Sequence, residues 1–528
     1  MTNRVDTVSR GPEGSPQITA DYDYCPDGQV SRVSHGNGTA VEYEYDAANR
    51  ITRIDHLNPL GVSALTLVYS YLGGHGNAPS SIHERVAGIG TAATTFAYDE
   101  RGRLIEETRT DDVGTSDYFL QYRYDQGGNR TKKTSFGSFG QITETRYEYD
   151  IDDVPTNATA TNRLMKYETF DTTGGGEVLV STTYYYYNDV GNPTRVVTET
   201  AAPEPGQPEY SATLMNYAAN GQAVTYVMGE TWNNDGSGIA DYAQSYRREF
   251  RYDGSRQRYM DAALNEVLAV IETQTDWTDY DGDAAYATFG FDATNQLIRR
   301  ESWEPGLARV QMPGSPLNTA DYFHADHLGT TRHMSWSGGD AIEPAAYTAF
   351  GGKVSGVDFH RFGYAGAWGY QANPGFPFLH VGARYYDPAS GRFLQRDPIG
   401  IKGSPNAYAY VRGRPTVSVD PEGLAQYYPT NPTPGADWLP QPPSPAPGSP
   451  GWRITPDGWV PKPPRPPRVP WWKRPYFRRV PHVAAACAGY TAGRWLDNYF
   501  DKKTGKPASH NFADHWYEKI TGECPGCD

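Results

Sequence analysis

Residues Tyr43–His56 read YEYDAANRITRIDH, an alternating aromatic run, a tight Asp/Asn turn and an Arg-led alternating return. Period-2 alternation on both sides of a short turn specifies a β-hairpin. On an ideal pleat Tyr43 and Tyr45 share one face, with Ile51 and Arg53 answering on the returning strand. Asp46 then stands at the turn, where its carboxylate can cap backbone N–H groups. The unit recurs as YDYCPDGQVSRVSHGNG from Tyr22, FAYDERGRLIEETRTD from Phe96, YRYDQGGNRTKKTS from Tyr122 and YYYNDVGNPTRVVTET from Tyr185. Degraded copies follow at Phe250 (FRYDGSRQRY) and Phe289 (FGFDATNQLIRRES). A single hairpin cannot bury a face, so the copies must stack into one long antiparallel sheet, which twists and coils. The fold class is all-β, and the tyrosines read as a packed ladder rather than a stacking platform for sugars or bases.

Composition agrees. The 528 residues include 40 Tyr and 56 Gly, as expected of many short strands joined by turns. The net charge of −15 is unevenly placed: residues 425–528 carry 13 Lys/Arg against 8 Asp/Glu, so the acidity lies in the first 424. Four cysteines (Cys25, Cys487, Cys524, Cys527) are too few for a disulfide scaffold. No cleavable secretory leader and no apolar run of about 18 residues is visible, so export calls for a dedicated route rather than the chain's own leader or span. The start falls in mid-pattern, as a truncated N-terminus would.

A second kind of turn appears twice, at Asp397-Pro398-Ile399-Gly400 and Asp420-Pro421-Glu422-Gly423. Proline presets the bend and glycine closes it. Two such turns about 23 residues apart can bring two carboxylates together, and a carboxylate pair sharing a proton is the working part of an acid protease. The alternative is that both turns simply end strands. A third, Asp387-Pro388, reads as structural. His324, Asp326 and His327 invite a metal or acid–base reading, but a lone H-x-D-H is a weak signal for either.

The hairpin units resemble the tyrosine-aspartate (YD) repeats of the RHS family, and residues 318–424 resemble its repeat-associated core. The core's pieces are YFHADHLGTTRHMSW (Tyr322–Trp336), AYTAFGG (Ala346–Gly352), RFGYAGAWG (Arg361–Gly369), RYYDPASGRFLQRDPIG (Arg384–Gly400) and VDPEGL (Val419–Leu424). The resemblance spans about four fifths of the chain; Gly413-Arg414-Pro415 stands where the family has Asn-Asn-Pro. It implies spiralling hairpins forming a shell, complete or partial, around the chain's own C-terminal segment as cargo. It further implies a single-turnover aspartyl autoprotease, with Asp397 and Asp420 as the pair, Arg396 holding one ionised and Leu424–Ala425 as the scissile bond. No cofactor is implied. The expected division is YD repeats over 1–317, core over 318–424, a proline-rich linker over 425–475 and a variable effector-like region over 476–528.

The linker holds 17 prolines between Pro429 and Pro475, read as polyproline II or spacer. Lys462–Arg479 has seven basic residues and no acid, interleaved with aromatics, a pattern suited either to nucleic acid or an anionic surface or to a solvated spacer. Beyond it, residues 482–500 and 511–520 have helical spacing. His510, His515, Cys524 and Cys527 make H-x4-H-x8-C-x2-C; zinc is the weaker reading there and a free terminal thiol pair the stronger. Three functions follow: a polymorphic-toxin shell that frees its C-terminal segment, in competition between bacteria or against a host; a non-cleaving cell-surface or extracellular adhesion protein with carbohydrate-contacting repeats; or an inactive orphan fragment. The first implies an immunity protein and a secretion machine as partners and a secreted or surface location.

Overall fold

The computed structural model describes residues 5–429, apart from short interruptions (chiefly 11–17, 72–75, 151–160, 204–208, 233–245, 266–269, 313–319, 340–343 and 357–360), and residues 452–455 and 458–461. The chain divides into two compact units, 1–290 with 299–440, and 291–298 with 441–528. Among the described residues there is no α-helix, only strands and short 3-10 turns, and no helix long and apolar enough to cross a membrane. Twenty-five strands, from Thr7–Arg10 to Thr331–Ser335, form one antiparallel sheet. Hairpin follows hairpin in chain order, as stacking of the repeat requires.

The repeat's consensus residues act as two separate fasteners. Asp46 Oδ1 accepts from the N–H groups of Ala48 (2.9 Å) and Arg50 (3.0 Å), while Arg50 Nε donates to Oδ2 at 2.7 Å. Asp99 repeats this with Arg101 and Arg103, and Asn188, Asp253 and Asp292 each hold the N–H four residues on. The tyrosine before each turn reaches back to the preceding hairpin. Tyr45 Oη donates to Val30 O, Tyr71 to Ile51 O, Tyr124 to Leu104 O, Tyr149 to Arg130 O and Tyr187 to Leu164 O, all at 2.7–2.8 Å. The aspartate therefore closes a hairpin and the tyrosine ties it to its neighbour. The degraded Phe289 copy has Phe291 in the tying position and lacks the hydroxyl.

The simple alternation fails at one point. Pairing runs Tyr43↔Ile54, Glu44↔Arg53 and Tyr45↔Ile51, with a register shift after Glu44. A bulge advances the return strand by one residue, so Ile51 and Ile54 are buried while Arg53 faces outward beside Asp55. The same shift stands before the last tyrosine of the Tyr122 and Tyr185 copies.

The described residues between 345 and 427 lie against the aromatic face of the sheet. Tyr98 Oη bonds Thr416 Oγ1, the Arg130 guanidinium is clamped between the Tyr122 and Phe350 rings, and Tyr408 Oη donates to Gly191 O at 2.6 Å. Arg258 donates to Tyr385 Oη and Arg361 to Thr278 Oγ1. One short segment thus touches hairpins from residue 98 to residue 278, so the sheet curves around it. Leu104, Tyr122, Tyr370, Tyr386, Phe393 and Tyr410 make the shared core, each worth about 1.5–3 kcal/mol of apolar burial.

In the second unit, Trp452–Thr455 pairs antiparallel with Gly458–Pro461, a hairpin inside the segment the composition reads as spacer. The basic run 462–479, the two expected helices and His510, His515, Cys524 and Cys527 lie outside the described residues.

Candidate autoproteolytic site

Strand Arg384–Asp387 crosses under the second Asp-Pro-x-Gly turn, and three close approaches weld the two together. Gly382 has φ +50°, and a Cβ there would sit 2.2 Å from Glu422 O; Gly423 has φ +62°, and its Cβ would sit 2.4 Å from Val381 O. Ala383 N–H donates to Glu422 O at 2.9 Å. Only glycine fits such backbone contacts at positive φ.

Arg384 is the hub. Its Nη2 lies 3.3 Å from Asp397 Oδ2 and 3.2 Å from Asp420 Oδ2, Nε donates to Gly423 O at 2.5 Å, and Nη1 to Ala407 O at 3.0 Å. Its guanidinium stacks 3.6 Å over Phe393. The two turn aspartates therefore share one nitrogen of one cation, as the paired-carboxylate spacing anticipates. The bridging arginine comes from strand Arg384–Asp387. Arg396 has an exposed side chain, its Cδ lies beside Gly191, and its N–H donates to Asn192 Oδ1.

Asp420 also grips the expected scissile segment. Its Oδ1 accepts from Leu424 N–H at 2.8 Å and from Ala425 N–H at 2.9 Å, and its own N–H donates to Tyr370 Oη at 2.7 Å. A Cβ on Gly403 would meet Leu424 O at 2.3 Å and Asp397 Oδ2 at 2.8 Å, so that carbonyl oxygen and the Asp397 carboxyl crowd the same point. Beyond Ala425 the chain turns back: Val419 and Tyr427 exchange both backbone hydrogen bonds, and Trp368 covers Tyr427 at 5.1 Å. Leu424 and Ala425 thus sit in a loop pinned at both ends.

Burial pushes both carboxyls upward, and the Arg384 guanidinium pulls each back only in part. For Asp397 the neighbouring Asp420 adds to the rise. Two acids that share one cation are coupled in their titration. Asp387 keeps to its turn, accepting from Ala389 N–H, Ser390 N–H and Ser390 Oγ. Asp326 likewise caps Leu328 and Thr330, and among the described residues no three His, Cys, Asp or Glu are set to hold a metal ion.

Against known proteins, the RHS repeat family matches residues 24–61. Toxin protein Tse5 of Pseudomonas aeruginosa is 32% identical over 238 residues, covering 35% of this chain and 16% of its own. Double-stranded DNA deaminase toxin A of Burkholderia cenocepacia is 28% identical over 231 residues, with the same two coverages. Toxin subunit YenC1 of Yersinia entomophaga is 24% identical over 447 residues, 77% of this chain and 42% of that one. The chain therefore spans less than half the length of these three relatives. Among solved structures, TcdB2-TccC3-Cdc42 aligns over 78% of this chain and 22% of that chain at 17% identity, with a TM-score of 0.41. The chain thus carries a match to the RHS repeat over residues 24–61, and in sequence it is similar to toxin proteins such as Tse5 and toxin subunit YenC1.

Proposed function

We propose that the chain is an RHS shell protein that cuts itself once, between Leu424 and Ala425, and thereby frees residues 425–528 as a toxin-like segment. The observation that carries this is the double grip of Asp420, whose one oxygen holds the amides of Leu424 and Ala425 while the other shares Arg384 with Asp397.

In the half-protonated pair, Asp397 carries the proton beside Leu424 O and polarises that carbonyl. Asp420, ionised, takes a proton from water as its oxygen attacks the Leu424 carbonyl carbon. The tetrahedral carbon collapses as Asp420 returns the proton to the Ala425 nitrogen and the C–N bond breaks. The products are a carboxyl on Leu424 and an amine on Ala425, so atoms and protons balance. Arg384 keeps one carboxylate ionised where burial alone would neutralise both. The toxin names of the relatives suit delivery to a rival bacterium or a host, the setting in which the sequence reading expects an immunity protein and a secretion machine.

Intact mass of the purified chain, wild type beside Asp397→Asn and Asp420→Asn, tests this. Two fragments meeting at Leu424/Ala425 in wild type, and one chain of 58.4 kDa in both variants, are expected. An uncut wild type would reduce the pair to turn-making and leave the non-cleaving structural reading in its place.

A further inference from the structure

His324 faces His333 across its own hairpin, and two further imidazoles reach it from the start of the chain. Its ring centroid lies 5.2 Å from His35, 5.3 Å from His56 and 5.1 Å from His333. All four are buried. His35 and His56 belong to the first hairpins, in strands Val30–His35 and Ile51–Leu57. His324 and His333 belong to the first hairpin of the core, Ala320–Ala325 with Thr331–Ser335. The cluster therefore sits where the start of the sheet meets strands nearly 300 residues later.

That junction is tight and polar at its rim. Thr19 N–H donates to Tyr322 Oη at 3.0 Å, and Asn37 Nδ2 donates to Ser335 Oγ at 2.9 Å and to Trp336 O at 2.8 Å. Tyr322 stacks on His35 at 4.8 Å. Inside, polar partners run out. His324 Nε2 meets Ser335 Oγ at 2.9 Å and His35 Nδ1 meets Thr39 Oγ1 at 3.0 Å, but His324 Nδ1 and both ring nitrogens of His56 are buried without a hydrogen bond.

The carboxylates of the surrounding strands are engaged elsewhere. Glu84 is paired with Arg332 and Arg109, Asp321 with Arg309, Glu42 with Arg32 and Asp55 with Arg53. Asp326 caps its own turn near Arg332, and Tyr69 and Tyr322 offer only phenols. The cation bearing on His56 is Arg332, of the same sign as an imidazolium.

We propose that His35, His56, His324 and His333 form an acid-sensitive latch that holds the first repeats to the core at neutral pH and lets them part in acid. His56 and His324 pack there as neutral imidazoles. A proton on either would place a charge at a ring with buried, unpartnered nitrogen, and a second charge in the cluster would add repulsion at close range in a dry setting. In the parted state the rings are hydrated and take up protons near the ordinary histidine value of 6.5. Burial pushes His35 down to about 3, and burial with neighbouring rings drives His56 and His324 well below their ordinary value. The sign follows: the parted state binds more protons, so closure is fully present above about pH 6.5 and is lost as pH falls toward about 3. Each neutral-locked histidine shifts the equilibrium about tenfold per pH unit in that window. This device does not depend on whether the chain cuts itself.

Hydrogen exchange of the full-length chain at about pH 7 and about pH 5, corrected for intrinsic rates, tests it. Peptides covering 30–35, 51–57, 320–325 and 331–335 are expected to open at least about tenfold more at the lower pH, while the hairpin of residues 118–136 stays unchanged. His56→Leu fills the same apolar site without titrating, and His324→Gln can keep a bond to Ser335. Each is expected to reduce the pH dependence by about tenfold per unit. A junction whose exchange ignores pH in wild type overturns the latch, and so does an undiminished pH dependence in either variant.

Discussion

Asp99 and Asp420 stand at tight turns of the same chain and do opposite things with the same carboxylate. Asp99 keeps one arginine to itself: Arg103, four residues on, closes the loop and donates at 2.6 Å, and the group remains at the partly exposed end of a hairpin. Asp420 shares Arg384 with Asp397 in a buried setting and turns its free oxygen onto the amides of Leu424 and Ala425. Asp46, built like Asp99, shows the electrostatic consequence. Burial pushes it up, yet the hydrogen bonds from Arg50 and Ala48 outweigh that and hold it below the usual carboxylate range. At Asp397 and Asp420 burial prevails over half an arginine, and both move up. One cation per acid makes a fastener; one cation for two acids leaves both carboxyls above their ordinary value.

The comparison breaks most sharply at Arg384. Arg384→Gln leaves two buried carboxyls with no cation, so we expect no cleavage by intact mass and a loss of about 3–5 kcal/mol in urea unfolding, the usual result of removing one member of a buried ion pair. If Arg384→Gln still cuts itself, the shared cation is irrelevant to the chemistry. Next in size is Gly403→Ala. Its φ of −77° suits alanine, but the added methyl displaces Leu424 O from Asp397. Cleavage should slow by about 100-fold, the order expected of an ångström-scale misplacement, with a time course of fragment appearance as the measurement.

The pH behaviour sharpens the contrast. Raised folded-state carboxyls bind protons more tightly than the unfolded chain does, so the pair's contribution to stability falls as pH rises from about 3.9 through the raised values. Asp397→Asn removes that term, and its urea midpoint should gain on wild type as pH rises above about 3.9 while cleavage is lost. Asp46→Asn should show the reverse slope, because a depressed carboxyl contributes above its unfolded value and loses that contribution in acid. Cleavage itself, requiring one proton on the pair, should be fastest on the acid side of neutrality and decline in both directions. Smaller again is Tyr71→Phe, which removes the tie to Ile51 O and should cost about 1 kcal/mol without changing cleavage. Arg396→Ala, exposed and away from both acids, should change stability by less than about 0.5 kcal/mol and leave the cut intact.

Much of this protein is local physics and can be read from the chain alone. The YD units announce hairpins because turn chemistry and alternation act over about a dozen residues, and stacking follows because a lone hairpin has no second face to bury. The two Asp-Pro-x-Gly turns were legible in the same way, as matching motifs at a short spacing, whereas the meeting of Asp397 and Asp420 on Arg384 is set by the fold. What the sequence could not convey is everything set by contacts across the sheet. The bulge after Glu44 that turns Arg53 outward, the tyrosines tying each hairpin to the one before, and the histidine cluster at the junction all depend on partners far away along the chain. So does the choice of basic residue. Arg396 is adjacent to Asp397 in sequence, but its side chain is exposed, and the side chain that reaches both acids is Arg384, delivered by a strand that the turn glycines allow to pass directly beneath. Covalent neighbourhood determined the turns; only the folded sheet decided which charges meet.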